Sequence, residues 1–181
     1  EHNVLAGARG PAGMGIGFKE SDGVRVTDNW IVANTSGAYL DRTPRDPSAP
    51  VTFDHNVFAL NDVGVRFLSS EQGISFTQND FHQNVEVAVV EGGGDALGAT
   101  FDGNHWTEYE GYDLDGDGVG DVPFELKELS SQLTDAHPSL RFCLGTVARA
   151  AVDAIARAVP VLSSRALLVD RHPSVHATRP R

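Results

Sequence analysis

The amino-acid sequence predicts an all-β chain wound as a right-handed parallel β-helix of about four to five coils, followed by an amphipathic helical tail at the C-terminus. Three observations lead there. Asn3, Asn29, Asn56, Asn79 and Asn104 recur at intervals of 26, 27, 23 and 25 residues, each followed two positions later by Leu5, Ile31, Phe58, Phe81 or Trp106. Apolar and polar residues alternate around these asparagines, the period of two that a half-buried strand requires. Nineteen glycines against a single methionine suit tight, repeated turns better than long helices.

The strands of a coil follow from these columns. Upstream of the last four asparagines, Val24, Val51, Ile74 and Ala99 align at minus five, and Val26, Phe53, Phe76 and Phe101 at minus three; Arg25, Thr52, Ser75 and Thr100 alternate with them. Downstream, Ala38, Val65 and Ala88, then Leu40, Phe67 and Val90, mark a second alternating strand, and Ile16 with Phe18 fits one turn earlier. A second asparagine follows five residues after three of the first, at Asn34, Asn61 and Asn84. No unit of this length buries its apolar side alone, so the units must stack, like residue above like at the strand spacing of roughly 4.8 Å. The asparagines then fall at turns, where each amide bonds the next coil and builds a ladder. His2-Asn3-Val4-Leu5 copies His55-Asn56-Val57-Phe58, so the chain opens in mid-coil and an N-terminal part is expected before it. The lack of a signal peptide in this chain therefore says nothing about export.

Charge divides the chain in two. Residues 1–136 hold 23 acids and 7 bases, whereas residues 137–181 hold 2 acids and 7 arginines, within a total formal charge of -11. An acidic body repels phosphate, which argues against a nucleic-acid binder and favours a cation or a basic partner. No apolar run approaches the ~18 residues of a spanning helix. One cysteine, Cys143, excludes an internal disulfide and a thiolate zinc site. Three regions are expected: coils over 1–107, an acidic Gly/Asp-rich capping loop over 108–137, and a basic amphipathic helix and tail over 138–181.

Candidate binding residues lie in the loops. The connections from Leu40 to Val51 and from Val90 to Ala99 are longer than those of the other coils and leave the same edge, which in repeat proteins is often the binding face. Asp41, Arg42 and Arg45 are the partner-binding candidates there. In the capping loop, Asp113, Asp115, Asp117 and Asp121 occupy relative positions 1, 3, 5 and 9 with Gly116 at 6, and Val119 can offer its carbonyl. Hard Ca²⁺ takes six to eight oxygens from such a set, so these five residues are candidate calcium ligands. Position 12 is Phe124 rather than the bidentate glutamate of an EF-hand, and an acidic turn closed by its own Asx hydrogen bonds is the competing reading.

In the tail, Leu140, Leu144, Val147, Ala148, Ala151, Ile155 and Val159 have the three-and-four spacing of an amphipathic helix that Pro160 ends. Arg141, Arg149 and Arg157 mark its wet face. Such a helix either covers the open end of the β-helix or lies against an anionic membrane or membrane-bound partner. Of the seven histidines, His55, His82 and His105 stand in different columns and are not expected to stack into one cage; His172 and His176 are expected to fray beside Pro173. No catalytic constellation emerges, because Asp54 and Asp102 share a column but are a coil apart, roughly 9 to 10 Å by the strand spacing.

The stretch Asn104-His105-Trp106-Thr107-Glu108-Tyr109-Glu110-Gly111-Tyr112-Asp113-Leu114-Asp115-Gly116-Asp117-Gly118-Val119-Gly120-Asp121-Val122-Pro123-Phe124 resembles the signature that closes the β-helix of the NosD family, maturation proteins of bacterial nitrous oxide reductase. Gly13-Met14-Gly15-Ile16-Gly17-Phe18, Tyr39 to Pro47, Asn61 to Val65 and the tail around Val169-Asp170-Arg171-His172-Pro173 are similar to it too. The resemblance implies a periplasmic, non-enzymatic accessory protein that acts with an ABC-type membrane complex, and with the reductase or a copper chaperone, to assemble a copper-sulfur centre. It implies copper as a ligand but names no copper ligands in this chain. The alternative is a carbohydrate-binding or uronate-polymer-active β-helix, since this fold serves several chemistries.

Overall fold

A computed structural model describes residues 1–69, 72–91, 94–127 and 165–178. It contains fifteen strands: β1 Val4–Ala6, β2 Met14–Lys19, β3 Arg25–Thr27, β4 Trp30–Val32, β5 Ser36–Asp41, β6 Val51–Asp54, β7 Val57–Ala59, β8 Val63–Phe67, β9 Ile74–Thr77, β10 Asp80–His82, β11 Glu86–Val90, β12 Thr100–Asp102, β13 His105–Trp106, β14 Phe124–Lys127 and β15 Ala166–Asp170. They form three sheets in the orders β1-β4-β7-β10-β13, β2-β5-β8-β11 and β3-β6-β9-β12-β15-β14, parallel throughout except where β14 meets β15. Every third strand returning to the same sheet is the topology of a parallel β-helix, here of about four turns. Among the described residues there is no helix. The amphipathic segment expected over 139–159 lies outside them, with Cys143.

The predicted columns hold residue for residue. Val26, Phe53, Phe76 and Phe101 pair in register, as do Leu5, Ile31, Phe58, Phe81 and Trp106. Stacking one coil on the next puts aromatic faces in parallel: Phe53 on Phe76 at 4.6 Å between centroids, Phe76 on Phe101 at 4.9 Å, Phe58 on Phe81 at 5.0 Å and Phe81 on Trp106 at 4.4 Å. Phe124, from β14, closes the second stack at 4.5 Å from Trp106. Rings of this size dominate core burial, and offset stacking adds about 0.5–1.5 kcal/mol per pair.

Both asparagine ladders form. In the first, the N–H and side-chain amide of Asn29, Asn56 and Asn79 donate to the Oδ1 of Asn56, Asn79 and Asn104 at 2.9–3.0 Å. In the second, Asn34 donates likewise to Asn61, and Asn61 to Asn84. The residue before each ladder asparagine takes a left-handed φ, from 50° at Gln83 to 69° at Gly103. For a residue with a Cβ that corner costs about 1–2 kcal/mol, which the buried amide bonds offset. At Gly37 the turn into β5 brings a strand so close that an added Cβ would stand 2.5 Å from the Gly64 carbonyl oxygen.

The end of the solenoid is built by the tail. Residues 138–181 read from sequence as helix and trailing terminus, but Ala166–Asp170 are a strand, inserted parallel to β12 and antiparallel to β14. Asp170 is fully buried and takes the next position of the first ladder. Its Oδ2 accepts the Asn104 N–H at 3.0 Å, the Asn104 side-chain amide at 2.9 Å and the Trp106 indole N–H at 3.1 Å, while Oδ1 accepts the His172 N–H at 3.1 Å. The following residues do not fray as expected. Ser174 pairs with His105, its N–H donating to the Asn104 carbonyl at 2.9 Å, and His172 Nδ1 lies 2.7 Å from Asp102 Oδ1.

Replacing Asp170 by alanine orphans three buried N–H groups, each costing about 1–3 kcal/mol. Taking the lower bound of about 3 kcal/mol in all, Asp170→Ala is therefore expected to lower Tm by at least roughly 6–12 °C at 2–4 °C per kcal/mol, and Asp170→Asn, which keeps one oxygen for the ladder, by less. Equal melting of the alanine variant and wild type in a thermal scan would show that the ladder needs no terminal acceptor.

Candidate functional site

Asp113, Asp115 and Asp117 bring one carboxylate oxygen each to within 4.8 Å of one another, the only such trio of imidazole, thiol or carboxylate donors among the described residues. The loop's own N–H groups hold them: Gly116 and Gly118 donate to the two oxygens of Asp113 at 2.7 and 2.9 Å, Asp117 to Asp115 at 3.2 Å and Val119 to Asp117 at 2.7 Å. The Gly118 N–H, then Gly116, Asp115 and Asp117, hold the Asp113 carboxyl below its ordinary value against the opposing effect of burial. Asp121 stands apart from the trio, and its Oδ2 accepts the Leu114 N–H at 2.7 Å. Val119 sits between two hydrogen bonds to the tail, Val175 N–H to the Gly118 carbonyl at 3.1 Å and Gly120 N–H to the Pro173 carbonyl at 2.8 Å. The arrangement satisfies the Asx-turn reading in full, and it also points three carboxylates at one region.

Tyr109 holds this loop, a role the residue pattern alone did not reveal. Its hydroxyl donates to the Val122 carbonyl at 2.7 Å, and its ring packs so tightly on Gly120 that an added Cβ there would overlap it. The spacing of tyrosine and glycines in the closing signature was the available signal. Tyr109→Ala is expected to leave the coils intact, to speed limited proteolysis within residues 113–121 severalfold and to lower Tm by a few degrees, about 1 kcal/mol; unchanged cleavage would show that the loop is held without the ring.

The other candidates separate. Asp41 is buried, with Lys19 Nζ 3.0 Å and Arg42 Nε 3.5 Å from its carboxylate. It therefore orients the basic side chains of Lys19 and Arg42. Arg42, at φ 48°, also meets Glu20 at 2.7 Å, and with Arg45, Pro44 and Glu20 lines an open cleft of about 470 Å³. The Arg45 N–H is fixed by Asp22 Oδ1 at 2.6 Å. Arg141, Arg149 and Arg157 lie outside the described residues. Asp54 and Asp102 are kept a coil apart by Thr77, whose hydroxyl donates to Asp54 at 2.8 Å.

A second cluster, not anticipated from the columns, forms on the outer face of the first sheet. His105 lies opposite Asp80 on the adjacent strand, His82 follows at the end of β10, and the tail crosses over them, with the Thr178 N–H donating to Asp80 Oδ1 at 2.6 Å. Trp30, Val57, Ala59, Asp80, His82, His105 and Ala177 line a groove of about 380 Å³. Burial, then the nearby His82 and His176, hold His105 below its ordinary pKa, and burial raises that of Glu108.

Fold and site together define a class: a parallel β-helix repeat protein with asparagine ladders, closed at its C-terminal end by an aspartate-rich loop and a returning strand. The model of the family described as "Periplasmic copper-binding protein (NosD)" matches residues 1–111. The chain belongs to the NosD family. It is similar to a probable ABC transporter binding protein NosD of Pseudomonas aeruginosa, 30% identical over 129 residues, which is 70% of this chain and 30% of that protein. A protein of the same description from Stutzerimonas stutzeri is 25% identical over 123 residues, 67% of this chain and 28% of that one. The chain thus spans less than a third of the length of these relatives.

Proposed function

We propose that this chain is part of a periplasmic, non-enzymatic accessory protein that works with an ABC-type membrane complex in supplying copper for the copper-sulfur centre of nitrous oxide reductase. The observation that carries the reading is the family match over residues 1–111 together with relatives described as ABC transporter binding proteins. The structure is compatible with a scaffold: a rigid stack of coils, loops that project from one edge, and a closed end from which residues 128–164 depart and return between the paired strands β14 and β15. Arg141, Arg149 and Arg157 in that excursion, with Arg42 and Arg45 at the loop edge, are the proposed contacts to the membrane complex. Charge reversal Arg141→Glu/Arg149→Glu/Arg157→Glu is expected to reduce co-purification with the complex at least tenfold while leaving Tm within about 2 °C, the small effect usual for substitutions on a polar helix face. Undiminished co-purification would assign the segment to capping alone, and degradation of a uronate polymer by the purified chain would replace the accessory role with the carbohydrate-active reading.

Calcium at Asp113, Asp115, Asp117, Val119 and Asp121 belongs to the same proposal as a structural ion, supported by the three converging carboxylates. Chelation is expected to lower Tm in wild type and not in Asp115→Ala, because an ion bound only by the folded state stabilises it by mass action. A melting curve indifferent to chelator would leave the loop as a metal-free Asx turn.

A further inference from the structure

The tail crosses the outer face of the first sheet towards its N-terminal end. Ser174 pairs with His105 on β13, four residues later the Thr178 N–H bonds Asp80 on β10, and Ala177 already lines the groove of about 380 Å³ together with Val57 and Trp30. Asp80, Val57 and Trp30 stand directly opposite one another on β10, β7 and β4. The groove therefore continues the course on which Thr178 is set. It is lined there by Val57, Ala59 and the 41% exposed Trp30, with Val4 opposite Trp30 on β1. Among the described residues, His82 and His105 join no cluster of converging metal donors, so what the groove presents is apolar surface.

The next three residues, Arg179, Pro180 and Arg181, suit that surface in length and in chemistry. Trp30 lies two strand spacings from Asp80, roughly 9 to 10 Å, and three extended residues span roughly 10 Å. Proline at 180 turns Arg179 away from the helical region and fixes its own φ, so the sequence favours an extended course at little cost in chain entropy. Proline has no N–H to leave unpaired in an apolar groove, and Pro-containing segments dock on aromatic-lined grooves for this reason. A guanidinium brought over an indole gains from the ring quadrupole, and tryptophan is the best aromatic partner for it. Two arginines are also drawn towards a body that holds 23 acids and 7 bases over residues 1–136.

We propose that Arg179, Pro180 and Arg181 are the occupant of this groove, with Pro180 seated on Val57 and Arg181 over the Trp30 ring. The tail is then a strap over the outer face as well as the cap on the end of the solenoid. Residues 174–178 cover the last coils, and residues 179–181 lock them there by covering the apolar surface of β4 and β7.

The test uses the whole chain and reads Trp30 directly: Trp106 is 1% exposed, and the difference between wild type and Trp30→Phe isolates the Trp30 emission. Acrylamide, a neutral quencher, is expected to quench Trp30 at least twofold more efficiently in Arg179→Ser/Pro180→Gly/Arg181→Ser than in wild type. Equal quenching in the two proteins overturns the proposal. Protection of Trp30 that disappears when wild type is diluted assigns the groove to a second copy of the chain and overturns it as well. Disulfide trapping in a Cys143→Ser background checks the position. Val4→Cys/Arg181→Cys is expected to close an intramolecular disulfide under mild oxidation, and Leu97→Cys/Arg181→Cys is not, although Leu97 is also exposed. No trapping in the first pair, or equal trapping in both, puts residues 179–181 outside the groove and overturns the proposal.

Discussion

The buried amide ladder is the constraint on which the molecule depends. A β-helix turns sharply three times per coil, and each turn takes backbone groups out of the strand pairing and into the interior, where an unpaired N–H costs about 1–3 kcal/mol. Asparagine alone answers this in series: its oxygen accepts from the coil before, and its amide donates to the coil after and to a carbonyl such as Val26 O or Phe53 O. The first ladder has a direction, since Asn3, Asn29, Asn56, Asn79 and Asn104 each give two N–H bonds towards the C-terminal end. It ends at a group that accepts and has nothing left to donate. Asp170 is that group, a carboxyl with acceptors on both oxygens at the position where another asparagine would leave its own donors unpaired.

The terminal acceptor explains the topology of the end. Asp170 must lie directly above Asn104, although 66 residues separate them. The chain therefore leaves β13, lays down the acidic loop and β14, travels through 128–164, and comes back beneath what it has just built. In the third sheet β15 slides between β12 and β14; in the first, Ser174 slides between His105 and Val119. The parallel edge of the last coil, an open invitation to pair with another chain, is covered on both sheets by the protein's own tail. The aspartate-rich loop and the Phe124 ring are the outermost layer over a strand that comes later in sequence.

Polarity of charge maps onto this construction. The acidic excess lies in the coils and in the closing loop, where main-chain N–H groups neutralise the carboxylates locally. The strands that flank the arginine-rich segment in sequence, β14 and β15, pair with each other, with Lys127 opposite Ala166.

The sequence by itself determined the coils. A period of about 25 residues, the inward columns from Val26 to Phe101 and from Leu5 to Trp106, and both ladders are visible as spacing, because each coil must repeat the packing of its neighbour and so must repeat the residues that make it. The acidic loop was legible as a list of residues for the same local reason, its hydrogen bonds spanning two to seven positions. Tertiary structure alone decided the rest. No periodicity marks Ala166–Asp170 as a rung, since a strand that occurs once has nothing to repeat. Nor could spacing bring Thr178 to Asp80 or Ser174 to His105, contacts that exist only because the tail is drawn across the outer face. A ladder declares itself by recurrence, whereas its terminator is set by contacts between residues far apart in the chain.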